Sequence, residues 1–133
     1  MTVRSEGCRV WGLAVALTLA STVAWAQAAG IPVRFHGEWN GDLGRCGDRE
    51  AGGGLTIGAD FITYFEAGDA VLRVNPAEVG GVNILVDHVE DGVTDRLSRT
   101  LILSDDGQTL SFTYGDGPED VVRRCPQGNS DGR

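Results

Sequence analysis

Glycine punctuation limits this chain to short elements. Its 20 glycines, many in Asp-Gly or Gly-Asp steps, cut it into pieces rich in β-branched and aromatic residues. No piece keeps apolar residues at i, i+3, i+4 and i+7 long enough to bury one face of a helix. Several alternate apolar with polar instead, as a strand does when one of its faces is buried. Antiparallel strands joined by tight turns are therefore expected along the chain.

About eight such strands can be placed. Residues 34–40 put Phe35, Gly37 and Trp39 on one face and Arg34, His36 and Glu38 on the other. A glycine-rich loop, 41–53, carries Cys46. Strands at 55–57 and 61–66 follow, around Gly58-Ala59-Asp60. Gly68-Asp69 reads as the turn into 70–75, which Pro76 ends because it has no N–H for the ladder. The run 82–90 turns at Asp91-Gly92 into 95–104, and Asp105-Asp106-Gly107 leads on to 109–114 and then 120–125. The fold class expected is all-β: a small antiparallel up-and-down barrel, or alternatively a two-sheet sandwich. Closure would make the first and last strands neighbours, remove exposed edges, and bring Cys46 within reach of Cys125.

Residues 1–26 have another character. Arg4 and Arg9 precede an apolar run from Trp11 to Val23, which ends in Ala24-Trp25-Ala26. That order is expected of a secretory signal peptide, because signal peptidase accepts only small side chains at the two alanine positions. The run is shorter than the roughly 20 apolar residues of a membrane span. No Cys follows it and no Arg-Arg pair precedes it, so neither a lipid anchor nor folded export is expected. Cleavage removes Cys8 and leaves Cys46 and Cys125, which in an oxidising compartment predicts one disulfide. It also removes Arg4, Arg9 and Glu6, a net +1, so a formal charge of −8 becomes −9. An acidic chain is a poor partner for nucleic acid or for anionic membrane surfaces. The organisation expected is a signal peptide at 1–26, a lead-in at 27–33, one domain at 34–126 and a disordered tail at 127–133. Localisation is periplasmic or secreted, as a monomer.

Gly37-Glu38-Trp39 near the start of the first strand, together with Arg123-Arg124 in the last, resembles the calycin superfamily of lipocalins, avidins and their small bacterial relatives. The resemblance implies a barrel in which an Arg from the last strand packs over the Trp and closes one end. Either Arg123 or Arg124 could be that residue, and strand alternation puts them on opposite faces. A guanidinium over an indole face contributes about 0.5–2 kcal/mol. The chain is also similar to compact periplasmic barrels, some of which inhibit hydrolases. An eight-stranded barrel of this gauge has an interior that side chains nearly fill, so a deep lipid cavity is not expected.

Few residues point to chemistry. His36 and Glu38, two apart on one strand face, would suit a base and its orienting carboxylate, but they read more simply as solvent-facing. Asp42, Asp48 and Glu50 crowd the loop around Cys46 without the spacing of a calcium loop, and Asp in such loops is usually turn chemistry. Asp87, Glu90, Asp91 and Asp95 flank a hairpin. Phe61, Tyr64 and Phe65 could line a ligand mouth, but aromatics at this density in a β protein are more often core, with the Tyr64 hydroxyl at the rim. Arg99 shares its parity with Leu97, Leu101 and Leu103, so it should point inward and need a partner among Glu66, Asp87 and Glu90, while Arg96 faces outward. Tyr64, Arg99 and Asp48 are thus the candidate binding residues. No nucleophile–base pair, metal set or cofactor motif stands out, so an enzyme is not expected. The function expected is non-catalytic binding of a small ligand or a periplasmic protein at the barrel mouth or loops. The alternatives are a lysozyme or protease inhibitor acting through loop 41–53, or a structural or stress-related envelope protein.

Overall fold

Every strand pairs antiparallel with its neighbour in sequence: β1 (Gly37–Asn40), β2 (Gly54–Ile57), β3 (Phe61–Tyr64), β4 (Ala67–Pro76), β5 (Gly81–Glu90), β6 (Val93–Leu103), β7 (Thr109–Thr113) and β8 (Glu119–Arg124). β8 then pairs with β1, setting Trp39 opposite Arg124 and Asn40 opposite Arg123, so the sheet closes into an up-and-down barrel. The computed structural model describes residues 30–48, 50, 52–113 and 117–127. The signal peptide expected at 1–26 and the tail from 128 lie outside the described residues.

Local chemistry sets the longest hairpin. Asp91 and Gly92 both take positive φ, 51° and 77°, the turn whose twist suits the strands it joins. It fixes the β5–β6 register from Glu90 opposite Val93 to Gly81 opposite Ile102. Val82, Ile84 and Val86 then face inward from β5, and Leu101 joins them from β6. The β4–β5 register shifts between Val71 and Arg73. That bulge leaves Leu72 exposed, and with Arg73 and Pro76 it makes this stretch of β4 a poor template for another chain.

The core fills one end of the barrel. Phe35, Trp39, Ile62, Ile84, Val86, Leu101 and Leu110 are buried there. The Trp39 indole N–H donates to the Phe35 carbonyl at 3.0 Å. Arg124 lies over the Trp39 ring, 4.1 Å from its centroid, and donates to the carbonyls of Gly107, His36 and Arg34 at 2.9, 2.7 and 2.7 Å. One guanidinium therefore ties together a ring face and three backbone segments. Arg123 points outward and is exposed.

Two sequence expectations need correction. The first strand begins at Gly37, not residue 34, because Val33–Phe35 form a single 3₁₀ turn that drops Phe35 into the core. Gly37, at φ 124°, is where the chain swings into the strand, and a side chain there would press on Arg124 Nη1. His36 consequently does not share a surface with Glu38: its Nε2 lies 2.7 Å from the Ile31 carbonyl. Ile31 is itself core, so the packed domain starts before residue 34. Gly68-Asp69 is not a turn either. The chain reverses at Phe65-Glu66, with Glu66 at φ 58°, and Asp69 lies inside β4.

Cys46 and Cys125 form the expected disulfide, with Cα atoms 5.7 Å apart and a sequence separation of 79. The chain-entropy model values closing such a loop at about 4.5 kcal/mol. The bridge folds the start of loop 41–53 down the outer wall of β1, where the Cys125 N–H donates to the Glu38 carbonyl and the Gly47 N–H to the Glu38 carboxylate.

Candidate functional site

The barrel end opposite Trp39 and Arg124 is open. A cavity of about 550 Å³ occupies it, walled by Leu55, Tyr64, Ala67, His88, Phe112 and Val122, with Phe65, Glu90 and Asp120 at the rim. Gly53 and Ala67 supply no bulk there, so the wall stands back from the axis. The volume falls within the usual range for small-molecule sites.

A buried polar cluster sits beside the cavity. Asp69 on β4 lies directly opposite His88 on β5. Arg99, on β6 opposite Ile84, reaches across to them. Its Nε and Nη2 donate to the two Asp69 oxygens at 2.6 and 3.0 Å, and neither side chain has any solvent exposure. The Tyr64 hydroxyl donates to Asp69 Oδ2 at 2.8 Å, and His88 Nδ1 lies 2.7 Å from Oδ1. The Arg99 guanidinium also lies 5.5 Å from the Tyr64 ring centroid. Desolvating an aspartate and an arginine is costly, and bidentate geometry with further donors is what offsets it.

The His88 tautomer follows from these distances. Both Asp69 oxygens already accept from Arg99, and a carboxylate can only accept. The short Nδ1–Oδ1 contact therefore places a proton on Nδ1. Nε2 faces the other way, 3.5 Å from Glu90 Oε2 at the cavity rim. A carboxylate-oriented imidazole can act as a base or hold a ligand. The group recorded beside Nε2 is an acceptor carboxylate, not a hydroxyl or thiol.

Of the three candidate binding residues, the fold brings Tyr64 and Arg99 together and leaves Asp48 apart. Asp48 lies on the outer wall, where Oδ1 accepts from the Glu50 N–H. Arg99 does point inward, but its partner is Asp69 rather than Glu66, Asp87 or Glu90. Asp87 instead pairs with Arg96 outside the barrel at 2.8 and 3.2 Å, and the Arg96 hydrogen bond holds the Asp87 carboxyl below its ordinary range. Phe61 and Phe65 are 43% and 45% exposed, so they are not core. Phe61 lies over Gly58, where any side chain would collide with its ring. It lines an outer groove of about 690 Å³ with Glu38, Gly47, Asp48, Thr63 and Phe65. Glu38 also lies beside the two cysteine sulfurs, but the disulfide occupies both, leaving no metal-binding set there.

Sequence reasoning missed Asp69 and did not single out His88. A signal for His88 existed: it shares the inward parity of Val82, Ile84 and Val86. No family model, curated protein or solved structure matches the chain, so the chemistry of the site has to be read from its own residues. No helix among the described residues is long and apolar enough to cross a membrane.

Proposed function

We propose that this chain is an exported, non-catalytic binding protein that holds a small molecule in the open end of its barrel. The observation that carries this reading is the cavity bounded by Tyr64 and His88, both fixed by Asp69, where further core packing would otherwise stand. Side chains held in advance lose little freedom when a ligand arrives, which favours binding. A signal peptide at 1–26 and a disulfide both suit an oxidising compartment outside the cytoplasm. The Arg124–Trp39 stack supports kinship with calycins, whose end closure it resembles.

Native mass spectrometry of the protein recovered from its export compartment tests the reading. The expected result is one small molecule per chain, absent from a folded Ala67→Trp variant whose indole fills the cavity. Equal occupancy in both proteins, or none in either after exposure to a millimolar metabolite panel, overturns it. A second reading, inhibition of a periplasmic hydrolase, draws support from the outer groove, where exposed Phe61 and Phe65 flank the disulfide-pinned loop. Its test is inhibition of lysozymes and proteases that is lost in Phe61→Ser and Phe65→Ser variants.

A further inference from the structure

His88 and Glu90 make the cavity selective, provided that the cavity is a ligand site as proposed above. In the neutral form with the proton on Nδ1, His88 carries its lone pair on Nε2. Glu90 Oε2 lies 3.5 Å away and can also only accept. Two acceptors thus face each other, and among the described residues no recorded donor bridges them. The charges around them lean the same way. Asp69 and Arg99 neutralise each other below, with Arg99 Nη2 3.2 Å from Nδ1, the side of the ring away from Glu90. Asp95 lies across from His88 on β6, and Asp120 stands on the opposite rim. Arg96 is held outside by Asp87. Tyr64, Phe65 and Phe112 complete the wall with aromatic surface.

We propose that the cavity takes a small organic cation: an amine whose N–H groups bridge His88 Nε2 and the Glu90 carboxylate, with its apolar body against Tyr64, Phe65 and Phe112. A carboxylate and aromatic faces both attract a cation. An anionic ligand would meet Glu90 and Asp120 at the entrance.

Calorimetry on the disulfide-bonded exported chain at pH 7.5 tests this with matched probes: 2-phenylethylamine and hexylamine, 2-phenylethanol and hexanol, and 3-phenylpropionate. The amines should bind about tenfold more tightly than the alcohols, as a charge-assisted bond would give. Glu90→Gln, with an unchanged melting temperature, should weaken amine binding on the order of fivefold, since Glu90 is largely solvent-screened, and leave alcohol binding unaltered. Alcohols binding as tightly as amines, or 3-phenylpropionate binding more tightly, overturns the cation inference while the cavity reading stands. Binding by none of the probes at millimolar concentration overturns both. Long-range ¹H–¹⁵N spectra should show His88 protonated at Nδ1 and bare at Nε2 in the free protein, with the Nε2 resonance moving when amine binds. An Nε2 already protonated at pH 7.5 removes the acceptor pair and the inference with it.

Discussion

Replacing Asp69 by alanine should be among the most damaging single changes available to this barrel. Asp69 accepts from Tyr64, from His88 and twice from Arg99, and its side chain and that of Arg99 have no solvent exposure. Asp69→Ala leaves a guanidinium buried without its carboxylate, and takes an acceptor from a tyrosine hydroxyl and an imidazole N–H. Breaking a buried pair from one side costs about 3–5 kcal/mol, against a total stability of about 5–15 kcal/mol for a domain. At about 4–8 °C per kcal/mol for this size, the melting temperature should fall by roughly 12–40 °C. Urea unfolding with the disulfide intact measures the loss, reported by fluorescence of Trp39, the one tryptophan beyond residue 26. The double variant Asp69→Leu/Arg99→Met removes both charges and should lose less than Asp69→Ala alone, about 1–3 kcal/mol, the cost that remains being the acceptor lost to Tyr64 and His88. A cost below about 1 kcal/mol for Asp69→Ala, or a double variant as unstable as the sum of its singles, would refute the reasoning.

The two adjacent arginines of β8 should separate cleanly in the same unfolding assay. Arg124→Met loses the contact with Trp39 and three carbonyl hydrogen bonds, at about 2–3 kcal/mol, whereas exposed Arg123→Met should change stability by less than about 0.5 kcal/mol. Val79 holds φ 46° in the turn before β5, a conformation that a β-branched residue resists. Val79→Asn should therefore raise stability by about 0.5–1 kcal/mol, read as a higher urea midpoint. Asp106 accepts from the Ser104 hydroxyl and the Gln108 N–H, and the Ser104 bond above all holds its carboxyl below the usual aspartate range. A carboxyl lowered in the folded state stabilises it above the unfolded value, about pH 4, and that contribution is lost as pH falls through the folded value. Asp106→Asn should flatten this part of the acid limb of stability against pH.

The barrel was legible because its signals are local and repeated. Asp91-Gly92 marks a hairpin, parity turns Arg99 inward with Leu97 and Leu101, and the cysteines that closure joins follow the first and last strands. The misreadings fall where short-range chemistry carries two meanings. Gly68-Asp69 has the composition of a turn, while the real reversal uses Phe65-Glu66, which lacks any glycine or proline to announce it. That shift hid Asp69, and with it the partner of Arg99. Phe35, Gly37 and Trp39 alternate like a strand, yet Phe35 reaches the core from a 3₁₀ turn that the strand pattern does not distinguish. Choosing Arg124 over Arg123 needed the β1–β8 register, a long-range pairing that no local pattern encodes. The cavity itself depends on what Gly53 and Ala67 leave unfilled, a property of the closed wall rather than of any one strand.

The central claim is that small molecules enter the open end of the barrel. A fragment screen on the ¹⁵N-labelled, disulfide-bonded chain, read by amide and side-chain shifts, tests it most directly. The account predicts shifts gathered at Gly54, Leu55, Tyr64, Ala67, His88 and Phe112. Shifts confined to the outer wall at Gly47, Thr56 and Thr63, or no shifts at any fragment concentration the protein tolerates, would contradict it.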